Sequence, residues 1–192
     1  IVSPEHGDVS MQDYWLHMAM YHYLHQKFPL VKYAMHAGEL TSGLVAPEEL
    51  TWHINEAVRF AGATRIGHGV DMAWEKDSRS LLAYMKKQQI AVEINLSSNE
   101  FILGVKDDRH PISLYYKAAV PITISTDDAG ILRTSITRQF VLLAQRYPFI
   151  PYKAIKEMVY NSIRFSFIEE NNIKTKLLQE LDRRFTAFEK SM

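Results

Sequence analysis

Four short apolar runs recur along the chain, and each is followed by polar side chains. The runs cover residues 31–36, 65–68, 90–96 and 121–126, and the last begins with a proline. Runs of this length, rich in β-branched residues, are typical of buried parallel strands, and a strand tolerates proline at its first position. The pattern therefore predicts four parallel strands.

The segments between and after these runs have the spacing of amphipathic helices. We predict helices at residues 9–28, 47–61, 77–88, 111–119, 134–146, 151–167 and 174–188. Strands that alternate with helices indicate an α/β fold with a parallel sheet. Four strands fit either a small open sheet or half of an eight-stranded barrel, and polar clusters at the strand ends favour the barrel. We expect residues 1–192 to form a single domain.

The composition excludes several classes of partner and of metal site. Twenty-two basic and twenty-two acidic residues balance, so we expect neither nucleic acid nor an anionic membrane as partner. No apolar run approaches the ~20 residues that a membrane span needs. Because the chain has no cysteine, a metal would have to take histidine and carboxylate ligands. The lack of cysteine suits reducing and oxidising compartments alike, so the compartment stays open. We expect a soluble protein, either cytoplasmic or exported.

Three of the strand ends carry side chains that can bind a metal or transfer a proton. They are His36-Ala-Gly-Glu39, Gly67-His68-Gly69 and Thr126-Asp127-Asp128. Glycine lets the chain turn so that His36 and Glu39 can face one pocket, and a cation would relieve the repulsion between adjacent aspartates. Each cluster alone also fits a structural role, as a hydrogen-bonded histidine, a tight turn or a helix cap. The three together favour a metal-dependent hydrolytic site.

Other polar residues have simpler interpretations. Ser97-Ser98-Asn99 follows the third run and is expected to form a turn or a cap. His17, His22 and His25 lie on the first predicted helix, where no carboxylate partner recurs. We expect these histidines to lie on a solvated or partly packed helix face.

Taken in order, the motifs resemble the adenosine deaminase family. The resemblance rests on His36-Ala-Gly-Glu39, Gly67-His68-Gly69, Glu93 with Ser98-Asn99, and Ser125-Thr126-Asp127-Asp128, and it runs from about residue 3 to residue 167. It implies the C-terminal half of a (β/α)8 barrel that binds one zinc ion, with further helices at the C-terminus. The Asp-Asp-Ala-Gly-Ile sequence looks most like a bacterial, growth-factor-related branch of the family.

The resemblance also implies roles for the residues that match the family's motifs. His36 and Asp127 would be zinc ligands, and Asp127 counts among the catalytic residues. Glu39 would be the carboxylic acid that protonates N1 of the purine, and His68 would orient and help deprotonate the water bound to zinc. Such a water has a pKa lowered toward about 7. The substrate-binding residues implied are Gly38 and, at the N7 edge of the base, Asp128.

The sequence departs from the family most clearly in what it lacks. No His-x-His occurs in the 192 residues, so we expect the N-terminal half of the barrel, with two of four zinc ligands, to be absent. Ser3 stands where the family has a glycine that contacts purine N3, and Ala129 stands where it often has proline. A half-barrel leaves an open sheet edge. We therefore expect the N-terminal half of the same protein to be a partner, while a homo-oligomer stays open.

The implied activity is zinc-dependent hydrolytic deamination of adenosine and 2′-deoxyadenosine to inosine and 2′-deoxyinosine plus ammonia. One alternative is a deaminase of AMP or of N6-substituted adenine nucleotides, for which Arg109 and Arg133 are candidate phosphate ligands. An alternative of another class is a non-catalytic, growth-factor-like binding protein. The presence of Glu39 and His68 together with both aspartates favours an enzyme.

Overall fold

The computed structural model describes residues 5–192, and Ser3 lies outside them. The sheet in this part of the chain consists of β1 (Ala34–Ala37), β2 (Arg65–His68), β3 (Ala91–Ile94) and β4 (Ile122–Ile124). All neighbouring strands are parallel, and their spatial order follows the chain, β1-β2-β3-β4. A doubly wound sheet reverses its strand order at a switch point, whereas a barrel does not. The predicted α/β fold with four parallel strands is confirmed.

Helices connect the strands and follow the last one. The α-helices are α1 (Asp8–Gln12), α2 (Tyr14–Lys27), α3 (His53–Asn55), α4 (Ser78–Gln88), α5 (Leu96–Leu103), α6 (Ile112–Ala118), α7 (Ile136–Arg146), α8 (Tyr152–Arg164) and α9 (Asn171–Lys190). Short 3-10 helices cover Pro47–Thr51, Val70–Ala73 and Asp107–Arg109, and a π-helical turn covers Glu56–Phe60. None of the described helices is long and apolar enough to cross a membrane. In α2, His22 and His25 contact Phe60 and Tyr33, as a partly packed face requires.

One buried row of side chains runs across all four strands. Met35, Ile66, Val92 and Ile122 are in register and belong to the main hydrophobic core, as does Leu81 of α4. Burying an apolar side chain of this size stabilises the fold by about 1.5–3 kcal/mol. This row is therefore a main source of the stability that holds the strand ends in place.

The opposite face of the sheet is more polar. Successive strand residues point to opposite faces, so the positions next to the buried row carry His36, Gly67, Glu93 and Thr123, which are also in register. The side chains of His36 and Glu93 are 39% and 29% exposed. This face positions His36 for the site.

Two predictions around the third strand are wrong. The strand ends at Ile94 rather than at residue 96, and Leu96 begins α5, for which the pattern predicts no helix. Ser97-Ser98-Asn99 lies in the first turn of this helix rather than in a turn between elements. Leu96 is buried, and a short apolar run cannot distinguish a strand from the start of a buried helix.

Two predicted helices are interrupted. Residues 9–28 form α1 and α2, which meet at Asp13, although the hydrogen bond from Asp13 N to Val9 O (3.0 Å) continues the helical pattern across the break. Residues 47–61 form a 3-10 helix, α3 and a π-helical turn instead of one helix. At the start of α3, Glu75 Oε1 accepts hydrogen bonds from the backbone N–H groups of Ile54 (2.5 Å) and Asn55 (3.3 Å). This external carboxylate satisfies N–H groups that a continuous helix would bond internally.

Candidate active site

The loop after β1 brings two of the predicted residues together. His36 and Glu39 are three residues apart, a spacing that would place them on opposite faces of a continuous strand. The strand stops before Gly38, which takes the left-handed conformation (φ +76°) that turns the chain. A Cβ at Gly38 would collide with the Asp71 carboxylate and with Ile54. Glycine is therefore required here, and buried Glu39 comes to face His36, with Oε2 3.7 Å from Nδ1.

The end of β2 places a second histidine beside the first. His68 has φ +70°, which is uncommon for a residue other than glycine and redirects its side chain from the alternation of the strand. A Cβ on Gly67 would lie 3.1 Å from His36 Cδ2. The two imidazole rings are 4.6 Å apart, and His68 is fully buried. Gly67 is thus needed for the close approach of the two rings.

The predicted metal-binding and catalytic residues converge at the carboxyl ends of the strands. Ligand atoms of His36, Glu39 and His68 lie within 4.8 Å of one another. Glu39 Oε1 is 3.6 Å from His68 Nδ1. Asp127, which follows β4, joins the group with Oδ2 3.9 Å from His68 Nε2.

The surroundings of the two histidines shift their pKa values in opposite directions. The Glu39 carboxylate raises the pKa of His36 above its ordinary value, although burial opposes this shift. Burial lowers the pKa of His68 and outweighs the attraction of Glu39. His68 is therefore neutral at pH 7, with one ring nitrogen that carries a proton and one that accepts.

The two aspartates after β4 lie in different environments. Asp127 has φ +55°, and its side chain is 19% exposed. Its Oδ2 accepts a hydrogen bond of 2.7 Å from Ser98 Oγ. Asp128 is exposed. Asp127 is therefore the member of the pair that is fixed beside His68.

The start of α5 contributes contacts to the site, although the sequence pattern predicts only a turn or a cap at Ser97-Ser98-Asn99. Ser98 holds Asp127, and the side-chain amide nitrogens of Asn95 and Asn99 lie 3.3 and 2.9 Å from His68 Nδ1. Asn95 and Asn99 are buried, as is Ser98. The position of these residues directly after β3 is the signal that could have indicated their role. Polar residues that follow neighbouring parallel strands lie at the same edge of the sheet.

Glu5 holds the backbone of the loop between His36 and Glu39. Its two oxygens accept hydrogen bonds from Gly38 N (2.9 Å) and Glu39 N (2.7 Å), and His53 Nδ1 lies 2.6 Å from Oε1. These partners offset the cost of burying a carboxylate. No motif marks this role, because Glu5 precedes Gly38 by 33 residues.

The donor set of the cluster fits zinc. Catalytic zinc sites use imidazole nitrogens and carboxylate oxygens, and both types are present here. His36 Nδ1 and His68 Nε2 are buried without a hydrogen-bond partner. Buried polar atoms are normally paired, so unpaired nitrogens beside Glu39 and Asp127 indicate a place for an ion or a ligand.

The two candidate phosphate ligands lie outside this cluster. Arg109 is exposed and donates a hydrogen bond of 2.6 Å to Gly104 O in its own loop. Arg133 is exposed and lines a cavity of about 530 Å³. Arg138 and Arg146 line the same cavity.

Comparison with protein families identifies the family to which the chain belongs. The family model described as adenosine deaminase matches residues 6–184. The chain belongs to the adenosine deaminase family. It is therefore a member of a family of hydrolytic deaminases, and the resemblance drawn from the motifs is confirmed.

The relatives differ in the substrates that their names state. The adenosine deaminase of Clostridium acetobutylicum is 29% identical over 153 residues, which cover 79% of this chain and 42% of the relative. The solved structure of the N6-methyl-AMP deaminase from Arabidopsis thaliana has a TM-score of 0.65 and 25% identity, covering 83% of this chain and 43% of that one. An amidohydrolase from Burkholderia ambifaria with bound zinc has a TM-score of 0.68 and 17% identity, covering 86% and 43%. The chain thus spans less than half the length of each of these proteins.

Proposed function

We propose that this chain carries catalytic residues of a zinc-dependent hydrolytic deaminase of adenosine and 2′-deoxyadenosine. The observation that supports the proposal is the convergence of His36, Glu39 and His68 within 4.8 Å, with Asp127 beside His68. In the reaction, water adds to C6 of the purine and the C6–N6 bond breaks. The products are inosine or 2′-deoxyinosine and ammonia.

Glu39 is the proton donor of this scheme. Its side chain is 5% exposed, and the carboxylate faces both histidines. In this scheme it delivers a proton to N1 as water adds to C6, so that negative charge does not build up on the ring. His68, whose Nε2 faces Asp127, orients the attacking water.

Gly38 and Asp128 are assigned to substrate binding. The N–H of Gly38 donates to Glu5, and its carbonyl accepts a hydrogen bond from Val70 N (2.7 Å). Both polar backbone groups of Gly38 are thus bonded within the protein, so we assign to Gly38 the turn that brings Glu39 to the purine rather than a hydrogen bond to the substrate. N7 of the purine only accepts hydrogen bonds, so Asp128 has to hold a proton when it contacts N7.

His36 and Asp127 are the residues of this chain that would hold zinc. When bound, zinc acts as a Lewis acid that lowers the pKa of water toward about 7. One histidine and one aspartate fall short of the three protein ligands usual in catalytic sites. We assign the missing ligands to a His-x-His in the N-terminal half of the same protein.

Free strand edges support this partner. Among the described residues, β1 pairs only with β2 and β4 pairs only with β3. An unpaired edge exposes backbone N–H and C=O groups that favour pairing with further strands. The N-terminal half would complete the barrel by pairing with both edges.

A nucleotide substrate is the second candidate. The observation that favours it is the cavity of about 530 Å³ that Arg133, Arg138 and Arg146 line together with Ser97 and Glu100. Arg146 is paired with the Glu100 carboxylate, so Arg133 and Arg138 are the candidates for a phosphate. Guanidinium groups are well suited to phosphate. For an AMP deaminase, Arg133→Ala should raise the KM for AMP by roughly 10-fold, about the effect of one lost charge-assisted hydrogen bond. The matched control is Arg183→Ala, at an exposed position on α9.

A substrate panel tests both candidates. The intact, zinc-loaded protein is incubated with adenosine, 2′-deoxyadenosine, AMP, N6-methyl-AMP and adenine, and deamination is followed by ultraviolet absorbance. Turnover of the two nucleosides supports the first proposal, and turnover confined to the nucleotides supports the second. A lack of turnover with every purine would overturn both.

A further inference from the structure

A buried chain of hydrogen bonds connects the segment before α6 to His68. His110 Nε2 lies 3.1 Å from Asn99 Oδ1, and Asn99 Nδ2 lies 2.9 Å from His68 Nδ1. All three side chains are at most 1% exposed. Water therefore does not compete for these contacts, and the donor and acceptor at each step follow from the groups themselves.

The direction of the chain is set at His110. The backbone N–H of Ile112 lies 3.2 Å from His110 Nδ1, and a backbone N–H can only donate, so Nδ1 is the acceptor nitrogen. Burial, followed by repulsion from Arg146 and His68, lowers the pKa of His110 to about 3. The ring is therefore neutral at pH 7 and carries its single proton on Nε2.

Asn99 transmits this direction to His68. Because His110 donates from Nε2, the group of Asn99 that faces it is the amide oxygen. The NH2 group of Asn99 then faces His68, and it can only donate, so His68 Nδ1 accepts. The amide nitrogen of Asn95, at 3.3 Å from the same Nδ1, acts in the same sense.

We propose that Asn99 and His110 are positioning residues that hold the ring proton of His68 on Nε2. This nitrogen is buried without a partner and lies 3.9 Å from Asp127 Oδ2. His68 then presents a hydrogen-bond donor on the side that faces Asp127, where the proposed scheme places the attacking water. The significance of this donor for turnover rests on the proposed function, whereas the proton assignment itself does not.

The consequence is a change in the role of His68. With its proton on Nε2, the ring donates a hydrogen bond to the oxygen of the attacking water and thereby orients a lone pair of that oxygen toward C6. It has no free lone pair on that nitrogen with which to remove a proton. His68 is therefore an orienting donor, in contrast to the deprotonating role that the family resemblance implies.

Nitrogen-15 NMR of the histidine rings tests the assignment directly. The intact, zinc-loaded protein is labelled with ¹⁵N-histidine and measured without substrate, and the His68 signals are identified by their loss in His68→Gln. We expect Nδ1 to resonate as an unprotonated ring nitrogen and Nε2 as a protonated one. A wild-type His68 with its proton on Nδ1 would overturn the proposal, and this measurement needs no variant at the positioning residues.

The variant Asn99→Asp is designed to reverse the assignment. An aspartate keeps an acceptor toward His110 but presents a second acceptor to His68, so Nδ1 of His68 should become protonated. His110→Gln keeps a side-chain N–H donor toward Asn99 and should retain the wild-type pattern. Asn171→Asp, the same change at an exposed position of α9, is the matched control. A folded Asn99→Asp variant with an unprotonated Nδ1 would contradict the proposal.

Kinetics separate the proposal from the function on which its significance rests. If the protein deaminates a purine, Asn99→Asp should lower kcat by roughly 10²-fold, as loss of one transition-state donor does, with KM nearly unchanged. If no purine is turned over and His68 still carries its proton on Nε2, the proposed function fails and the assignment stands. If turnover occurs with the proton on Nδ1, the assignment fails and the function stands.

Discussion

The loop from His36 to Glu39 lies between two clusters of ionisable groups, one buried and one partly exposed, that are stabilised in different ways. The anchor cluster consists of Glu5, His53 and Glu75, and the site cluster consists of His36, Glu39, His68 and Asp127. In the anchor cluster, the carboxylates accept hydrogen bonds from backbone N–H groups, those of Gly38 and Glu39 for Glu5 and those of Ile54 and Asn55 for Glu75. In the site cluster, the ionisable pairs stand 3.6–3.9 Å apart.

The difference separates a supporting role from a chemical one. Both carboxylate oxygens of Glu5 accept hydrogen bonds within the protein, and these bonds fix the backbone of the loop. In the site cluster, His36 Nδ1 and His68 Nε2 have no hydrogen-bond partner, so they remain available to a ligand. Glu39 takes part in both, because its backbone N–H is bound by Glu5 while its side chain faces the histidines. Substitutions in the anchor cluster should therefore cost stability, and substitutions in the site cluster should cost activity or metal affinity.

The largest effect on stability is expected for Glu5→Ala. It leaves two buried backbone N–H groups and His53 without their acceptor, and each unpaired group costs about 1–3 kcal/mol. We expect the free energy of unfolding of the intact protein to fall by about 3 kcal/mol, measured by urea denaturation. The control is Glu48→Ala, an exposed glutamate for which a change within about 0.5 kcal/mol is expected. Equal changes in the free energy of unfolding for the two substitutions would show that Glu5 does not stabilise the loop.

A smaller effect is expected when the space for His36 is reduced. Gly67→Ala places a Cβ 3.1 Å from His36 Cδ2, so the imidazole has to shift by a few tenths of an ångström. We expect zinc affinity, measured by competition with a chelator, to fall by about 10-fold, the lower end of the effect of disturbing ligand orientation. Gly130→Ala is the matched control, because a Cβ there meets no atom within 4 Å. An unchanged affinity in Gly67→Ala would show that the ring position does not control the ion.

The smallest effect concerns Asp71, which lies beside the anchor cluster without belonging to it. Neither carboxylate oxygen has a hydrogen-bond partner, and burial, then Glu5 and Glu75, raises its pKa well above the ordinary value. The folded protein thus retains a proton that the unfolded chain loses above about pH 4. Its contribution to stability is fully present below that pH and is lost as the pH rises toward the folded-state pKa.

Asp71→Asn removes this ionisation. The free energy of unfolding of the variant should fall less steeply with pH than that of the wild type, measured by urea denaturation between pH 4 and pH 8. Asp108→Asn, at an exposed position, should leave the wild-type curve unchanged. Parallel curves for Asp71→Asn and the wild type would mean that Asp71 does not carry the raised pKa.

The sequence pattern was sufficient for the sheet and for one set of site residues. His36, His68 and Asp127 end or follow apolar runs, and in a parallel sheet such positions meet at one edge. The pattern failed where a short apolar run changes from strand to helix, as at Leu96. It also missed the supporting residues, because Glu5 is 33 residues from Gly38 and Ser98 is 29 residues from Asp127. Which distant polar side chain reaches a strand end depends on packing, and no local spacing encodes it.

The most direct test of the central account compares wild type with Glu39→Gln. Both intact proteins are loaded with zinc, and ammonia release from adenosine is measured alongside zinc content and the free energy of unfolding. The substitution removes the acidic proton but leaves the backbone contact to Glu5, so kcat should fall roughly 10²–10⁴-fold while zinc content and stability stay at wild-type levels. Wild-type turnover in Glu39→Gln, with the fold and the zinc intact, would contradict the assignment of this site.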